Sequence, residues 1–198
     1  HSKKSPICFA DQEIQKLGFP TRTGWKPLTT YQEKNLKTVL ASVQILKNKN
    51  YNLDAKSIES GITNVVKNTG LMGRWQLLSN EPLTICDVGH NEDGIKEVIK
   101  QIEVTNFDKL HFVFGTVNDK SLDTIFKLLP KNAIYYFCKA NIPRGMPIDF
   151  LAEKAKEYNL KGEAYNSVIA AYKSAKENAQ KNDLIFIGGS TFVVAEIL

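Results

Sequence analysis

Two rhythms of apolar and polar residues run along this chain, and the change between them falls near residue 70. From Tyr31 onward, Leu36, Val39, Leu40, Val43 and Leu46 recur at helical spacing, with Thr29 or Thr30 placed to cap the first turn. A second helix is predicted from about Asp54, burying Ile58, Ile62, Val65 and Val66 and ending at Asn68-Thr69-Gly70. Beyond Gly70, short apolar runs alternate with helical stretches. Strands are predicted at 75–78, 83–88, 109–115, 133–138, 162–165 and 184–187, and helices at about 92–103, 121–129, 148–158, 167–180 and 190–197. Parallel neighbours need crossover connections, so this alternation predicts an α/β fold with a Rossmann-like, mostly parallel sheet and helices on both faces. The boundary is expected at 70–73, giving domains 1–71 and 72–198. Before Tyr31, Pro6, Gly18, Pro20, Gly24 and Pro27 favour turns and short strands.

Composition narrows the partners. The 26 basic residues exceed the 21 acidic ones for a net charge of +5, and the lysines are scattered along helix faces without forming a block. That argues against nucleic acid and for anionic small molecules such as nucleotides or polycarboxylates. Cys8, Cys86 and Cys138 include no Cys-x-x-Cys pair and cannot build a disulfide framework, which points to a reducing, cytoplasmic setting. Cys86 and Cys138 sit in apolar runs and read as small core residues. No apolar run nears the roughly 20 residues of a membrane span, and no secretory signal opens the chain, so no membrane partner is expected. The opening His1-Ser2-Lys3-Lys4-Ser5 lacks a Met and reads as cut from something longer.

The most informative stretch runs from Leu83 to Asn91. An apolar run ends in Asp87, turns through Gly89, and sets His90 and Asn91 before a helix carrying Ile95, Val98, Ile99 and Ile102. Polar groups at the carboxyl end of such a strand are where open α/β sheets bind ligands. Asp87 suits both ribose hydroxyls of a nucleotide, but also a helix cap or a lysine partner. His90 fits a ligand contact or a hydrogen-bonded turn. Lys120, in the first turn after Gly115-Thr116-Val117-Asn118-Asp119, is misplaced for the helix dipole, which an anionic partner or simple solvation accounts for. Gly188-Gly189-Ser190 allows close approach to a ligand or a tight turn with Ser190 as cap. Arg144, after another strand, offers a guanidinium. No His and Cys cluster has metal-ligand spacing, His111 lying inside a strand, and no Ser, His and Asp grouping announces a nucleophile. There is neither a Gly-x-x-x-x-Gly-Lys-Ser/Thr loop nor a Gly-x-Gly-x-x-Gly fingerprint, so the chain has no triphosphate cradle of its own.

Taken in order, several elements resemble the folylpolyglutamate synthase and dihydrofolate synthase branch of the Mur ligase superfamily. They are Leu28-Thr29-Thr30-Tyr31-Gln32-Glu33-Lys34-Asn35, Met72-Gly73-Arg74, Cys86-Asp87-Val88-Gly89-His90-Asn91, Phe114-Gly115 through Asp119-Lys120, Pro143-Arg144 and Gly189-Ser190. The resemblance implies the tail of a central ATPase domain at 1–71 and a complete Mur ligase carboxyl-terminal domain at 72–198. It further implies an ATP-dependent carboxylate-amine ligase that adds L-glutamate to folate or dihydropteroate. The phosphate loop and the Mg2+ ligands would lie upstream, leaving this fragment inactive alone and without catalytic or metal residues of its own. A monomer is expected.

Matched residue by residue, Asn35, Arg74 and Asp87 would contact ATP and His90 would lie close to it. Nucleotide binding across the domain boundary would close a hinge at 68–73. Tyr31 stands where the family has His, and Glu92 where it has Pro, which marks a divergent member. Another Mur-type ligase acting on cell-wall precursors, and a non-catalytic Rossmann-like nucleotide-binding domain, are the alternatives.

Overall fold

The computed structural model describes residues 7, 9, 10, 29–118 and 122–198. The expected turns around Pro6, Gly18, Pro20, Gly24 and Pro27, and Cys8, lie outside the described residues. The chain divides into two compact units, His1–Leu71 and Met72–Leu198.

In the first unit, α1 (Thr30–Asn48) starts at Thr29, whose hydroxyl accepts from Gln32 N–H at 3.3 Å. Asp54 caps α2 (Ala55–Thr63) by accepting from Ser57 N–H at 2.9 Å. The single second helix expected from the sequence is instead broken at Asn64, and α3 (Val65–Thr69) follows. Asn64 Nδ2 donates to the Ser60 carbonyl at 3.0 Å, a local bond of the kind that competes with the helical ladder. The expected burial also differs: Ile58, Ile62 and Val65 are half-buried and Val66 is exposed. Gly70, left-handed at φ 65, ends α3.

In the second unit, β1 (Gln76–Asn80) pairs antiparallel with β2 (Leu83–Cys86), and every other pairing is parallel. In chain order there follow α4 (Glu92–Glu103), β3 (Leu110–Phe114), α5 (Leu122–Leu128), β4 (Ile134–Cys138), α6 (Ile148–Glu157), β5 (Lys161–Tyr165), α7 (Val168–Asn178), β6 (Leu184–Gly188) and α8 (Thr191–Ala195). The sheet order is β1-β2-β6-β3-β4-β5. Alternation along each strand sends Phe112, Phe114, Tyr135, Phe137 and Phe186 to one face, under α4, α5 and α6. It sends Val113, Tyr136, Cys138, Ile185 and Ile187 to the other, under α7 and α8. Strand β2 is shorter than the expected 83–88, because Asp87 and Val88 already belong to the turn beyond it. No helix among the described residues is long and apolar enough to cross a membrane.

Register aligns Ile85, Phe186, Phe112 and Tyr135 in one row across four strands, with ring centroids of 5.0 Å for Phe112–Phe186 and 5.4 Å for Phe112–Tyr135. Full burial of each such ring contributes about 1.5–3 kcal/mol. The row ends at Gly162 on the edge strand, where an added Cβ would fall on the carbonyl of Tyr135. Gly162→Ala is therefore expected to cost about 1–3 kcal/mol, read from the midpoint of urea unfolding, because the obstacle is backbone and the strand must shift. A midpoint equal to wild type would show that β5 moves freely.

A buried polar cluster ties the opposite, amino-terminal ends of β3 and β6 together on the α7 face. Asp183 accepts from Lys109 N–H (3.1 Å), Gln180 N–H (2.8 Å) and His111 Nε2 (3.2 Å). With Nε2–H donating, His111 Nδ1 accepts from the Tyr136 hydroxyl (2.9 Å), which accepts in turn from Asn178 Nδ2 (3.2 Å). Burial pushes the Tyr136 hydroxyl above its usual pKa, so it stays a donor.

Candidate functional site

Connections leaving neighbouring strands here run to opposite faces of the sheet. From β2 and β3 the chain enters α4 and α5 on one face, while from β6, which lies between them, it enters α8 on the other. Such a switch opens a crevice beyond the carboxyl ends of the strands, and that is where ligands sit in open α/β sheets. The crevice is bordered by the turn after β2 (Asp87 to Asn91), the turn after β6 (Gly188 to Ser190), the loop after β3 (Gly115 to Asn118), and the Gly73-Arg74-Trp75 turn. The Gly73 carbonyl accepts from Val88 N–H at 2.9 Å, and Asp87 N–H donates to the Ile187 carbonyl at 3.1 Å.

Asp87 lies at the mouth of this crevice yet is only 3% exposed. Its Oδ2 accepts from Trp75 N–H at 2.7 Å and its Oδ1 from Gly89 N–H at 2.8 Å. It does not cap α4, since Asn91 is the cap, accepting from Gly94 N–H at 2.7 Å. His90 is exposed, with Nδ1 at 3.0 Å from the Val88 carbonyl. In the tautomer that donates there, Nε2 is left as an acceptor. Arg74 is exposed and makes no ion pair among the described residues. The first turn of α4 already holds Glu92 and Asp93, so the cation at this end of the sheet, not the helix start, suits an anion.

The remaining sequence candidates are placed as follows. Asn35 lies exposed on α1, in the first unit, with its amide donating to Gln32 Oε1 at 3.2 Å. Lys120 and Asp119 lie outside the described residues. Ser190 is 3% exposed and caps α8, accepting from Phe192 N–H at 3.2 Å, which favours the capping reading over the ligand one. Arg144 sets its guanidinium over Phe192, 4.8 Å from the ring centroid. Cys86 and Cys138 are fully buried. Burial first, and the charge of Asp87 second, push the Cys86 thiol up to about 12, and burial raises Cys138 as well, so neither is a nucleophile at neutral pH.

Two residues at this end escaped the sequence reading. Thr116, just past β3, is 2% exposed and its hydroxyl has no hydrogen-bond partner, the one buried side-chain polar atom of that kind among the described residues. Trp75 has a left-handed backbone at φ 47. A polar residue two positions beyond the end of a mostly apolar strand was the available signal for Thr116; nothing local marks Trp75. No three His, Cys, Asp or Glu side chains among the described residues converge as a metal-ion set.

The family model for the Mur ligase glutamate ligase domain matches residues 73–191, more than half of the chain. A Haloferax volcanii protein named "Probable bifunctional folylpolyglutamate synthase/dihydropteroate synthase" is 29% identical over 99% of this chain and 22% of its own length. An Escherichia coli dihydrofolate synthase/folylpolyglutamate synthase is 25% identical over 87% of this chain and 39% of its own. Among solved structures, Mycobacterium tuberculosis folylpolyglutamate synthase complexed with ADP superposes with a TM-score of 0.73 at 21% identity, covering 85% of this chain and 39% of that one. The chain thus spans between about a fifth and two fifths of the length of these relatives.

Proposed function

The chain belongs to the Mur ligases through their glutamate ligase domain, and from that premise we propose that it is the carboxyl-terminal portion of an ATP-dependent ligase adding L-glutamate to folate or dihydropteroate. The observation that carries this reading is the exposed Arg74, without an ion pair among the described residues, beside the Asp87 turn at the strand ends where the sheet switches direction. Relatives named for folate synthesis, and a structural neighbour complexed with ADP, support it. In the complete protein ATP activates a carboxylate for attack by an amine, and the residues of this chain bind and orient. Arg74 offsets phosphate charge, Asp87 and the Nε2 of His90 border the ribose, and Asn35 contributes from the first unit. That unit is the tail of the central ATPase domain. Mg2+ would be held by other residues of the complete protein. The protein works as a cytoplasmic monomer.

The deciding experiment gives the complete protein ATP and labelled L-glutamate with either a reduced folate or a nucleotide-linked cell-wall peptide. Glutamyl folate with stoichiometric ADP is expected; label on the peptide alone would replace this reading with cell-wall chemistry. The 198 residues alone, without a triphosphate cradle, are expected to release no phosphate from ATP above the blank in a phosphate-release assay. Steady turnover would show that the chain holds its own phosphate site.

A further inference from the structure

The backbone around Arg74 is held far more tightly than a surface turn needs. Gly73 N–H donates to Gln76 Oε1 at 2.7 Å, and the Gly73 carbonyl accepts from Val88 N–H at 2.9 Å. Gly73 is left-handed at φ 68, and an added Cβ would stand 2.5 Å from Val88 Cγ1, so only glycine fits there. On the other side of Arg74, Trp75 is left-handed at φ 47, a conformation that costs a bulky residue energy and persists only where its surroundings over-determine it. Two contacts do so. The indole is 7% exposed and sits in the core, its ring centroid 5.7 Å from that of Phe186. The Trp75 N–H donates to Asp87 Oδ2 at 2.7 Å. Between these two pinned residues the Arg74 side chain alone faces solvent.

We infer that Asp87 and Trp75 are positioning residues for Arg74: carboxylate and indole lock the turn in its left-handed form and fix the backbone from which the guanidinium, beside the ends of β2 and β6, reaches the phosphates of a nucleotide. The inference rests on the nucleotide reading above and assigns Asp87 a duty distinct from touching the ribose. Both carboxylate oxygens accept backbone N–H groups, and the residue is 3% exposed. Part of its contribution therefore passes through Arg74.

A double-variant cycle tests this, with ADP as the probe and its dissociation constant measured by calorimetry on the complete protein. Arg74→Ala is expected to weaken ADP about a hundredfold and Asp87→Asn about tenfold, with the double variant weaker than Arg74→Ala alone by clearly less than that tenfold. Losses that multiply would mean Asp87 acts on the nucleotide directly or through general stability, and would overturn the inference while leaving the nucleotide reading standing. An affinity unchanged by Arg74→Ala would overturn both. Gln76→Ala is a milder companion that removes only the tie to Gly73. It is expected to weaken ADP about threefold in the wild-type background and not at all beside Arg74→Ala. Hydrogen exchange gives a readout without nucleotide. The Trp75 amide is expected to exchange at least about tenfold faster in Asp87→Asn while the amides of Phe112 and Phe186 keep their protection. An unchanged Trp75 amide would overturn the inference.

Discussion

Replacing Asp183 with Ala is expected to lower the stability of the Met72–Leu198 unit by about 3–5 kcal/mol, the largest single loss this structure implies. The carboxylate is buried at 1% exposure and serves three donors at once: the N–H groups of Lys109 and Gln180 and the Nε2 of His111. Removing it leaves His111, itself 1% exposed, facing a gap, and releases the turn that starts β6 beside β3. The two strands meet there through Leu184 N–H and the Lys109 carbonyl at 2.9 Å, at the centre of the sheet. Urea unfolding gives the number directly, and a loss under about 1 kcal/mol would show that water replaces the carboxylate without cost.

The same residue gives stability a pH dependence of known sign. Burial works to raise the Asp183 pKa, but the hydrogen bonds from Gln180 N–H and His111, with that from Lys109 N–H, outweigh it and hold the carboxyl below its usual value. A folded-state pKa below the unfolded one contributes stability that is fully present above the unfolded value, about 3.9. That stability is lost as pH falls through the folded value. Asp183→Asn is therefore expected to show a shallower acid limb than wild type below about pH 4, and equal limbs would contradict the assignment.

Local pattern carried most of the fold. Thr29 caps α1, Asn91 precedes α4, and the six strands lie close to where apolar runs predict them, because caps and alternation act over a few residues. What stayed hidden depends on partners far along the chain. Asp183 reads as an ordinary turn acid before β6, and only the parallel register brings it to His111, 72 residues away. Trp75 reads as the first residue of a strand, and its left-handed turn exists because Asp87 lies opposite, 12 residues on. Asn64 interrupts a stripe of helical spacing that an apolar-periodicity reading carries straight through.

At the strand-end site the balance is similar. The place of Asp87 and His90 in the turn beyond β2 was legible, since the apolar run stops at Asp87 and the chain turns through Gly89. That Asp87 spends its oxygens on Trp75 and Gly89 was not, because a carboxylate's partners are set by the loop that crosses it. The unsatisfied hydroxyl of Thr116 needs the packed surroundings to be seen, since it is defined by the lack of a donor or acceptor among the described residues.

Arg74 carries the second large effect. An exposed guanidinium on a turn whose neighbours are pinned reaches phosphate from a fixed backbone, so little backbone ordering opposes binding. Charge-assisted hydrogen bonds to such a group contribute about 1.5–3 kcal/mol, equivalent to roughly ten- to a hundredfold in affinity. Arg74→Lys keeps the charge but not the planar fork and should fall between wild type and Arg74→Ala. The direct measurement is kcat/KM for ATP in glutamate addition by the complete protein, at saturating L-glutamate and reduced folate. A fall of about a hundredfold is expected in Arg74→Ala with the unit's unfolding midpoint unchanged. A kcat/KM within about twofold of wild type would contradict the claim that this end of the sheet holds the nucleotide.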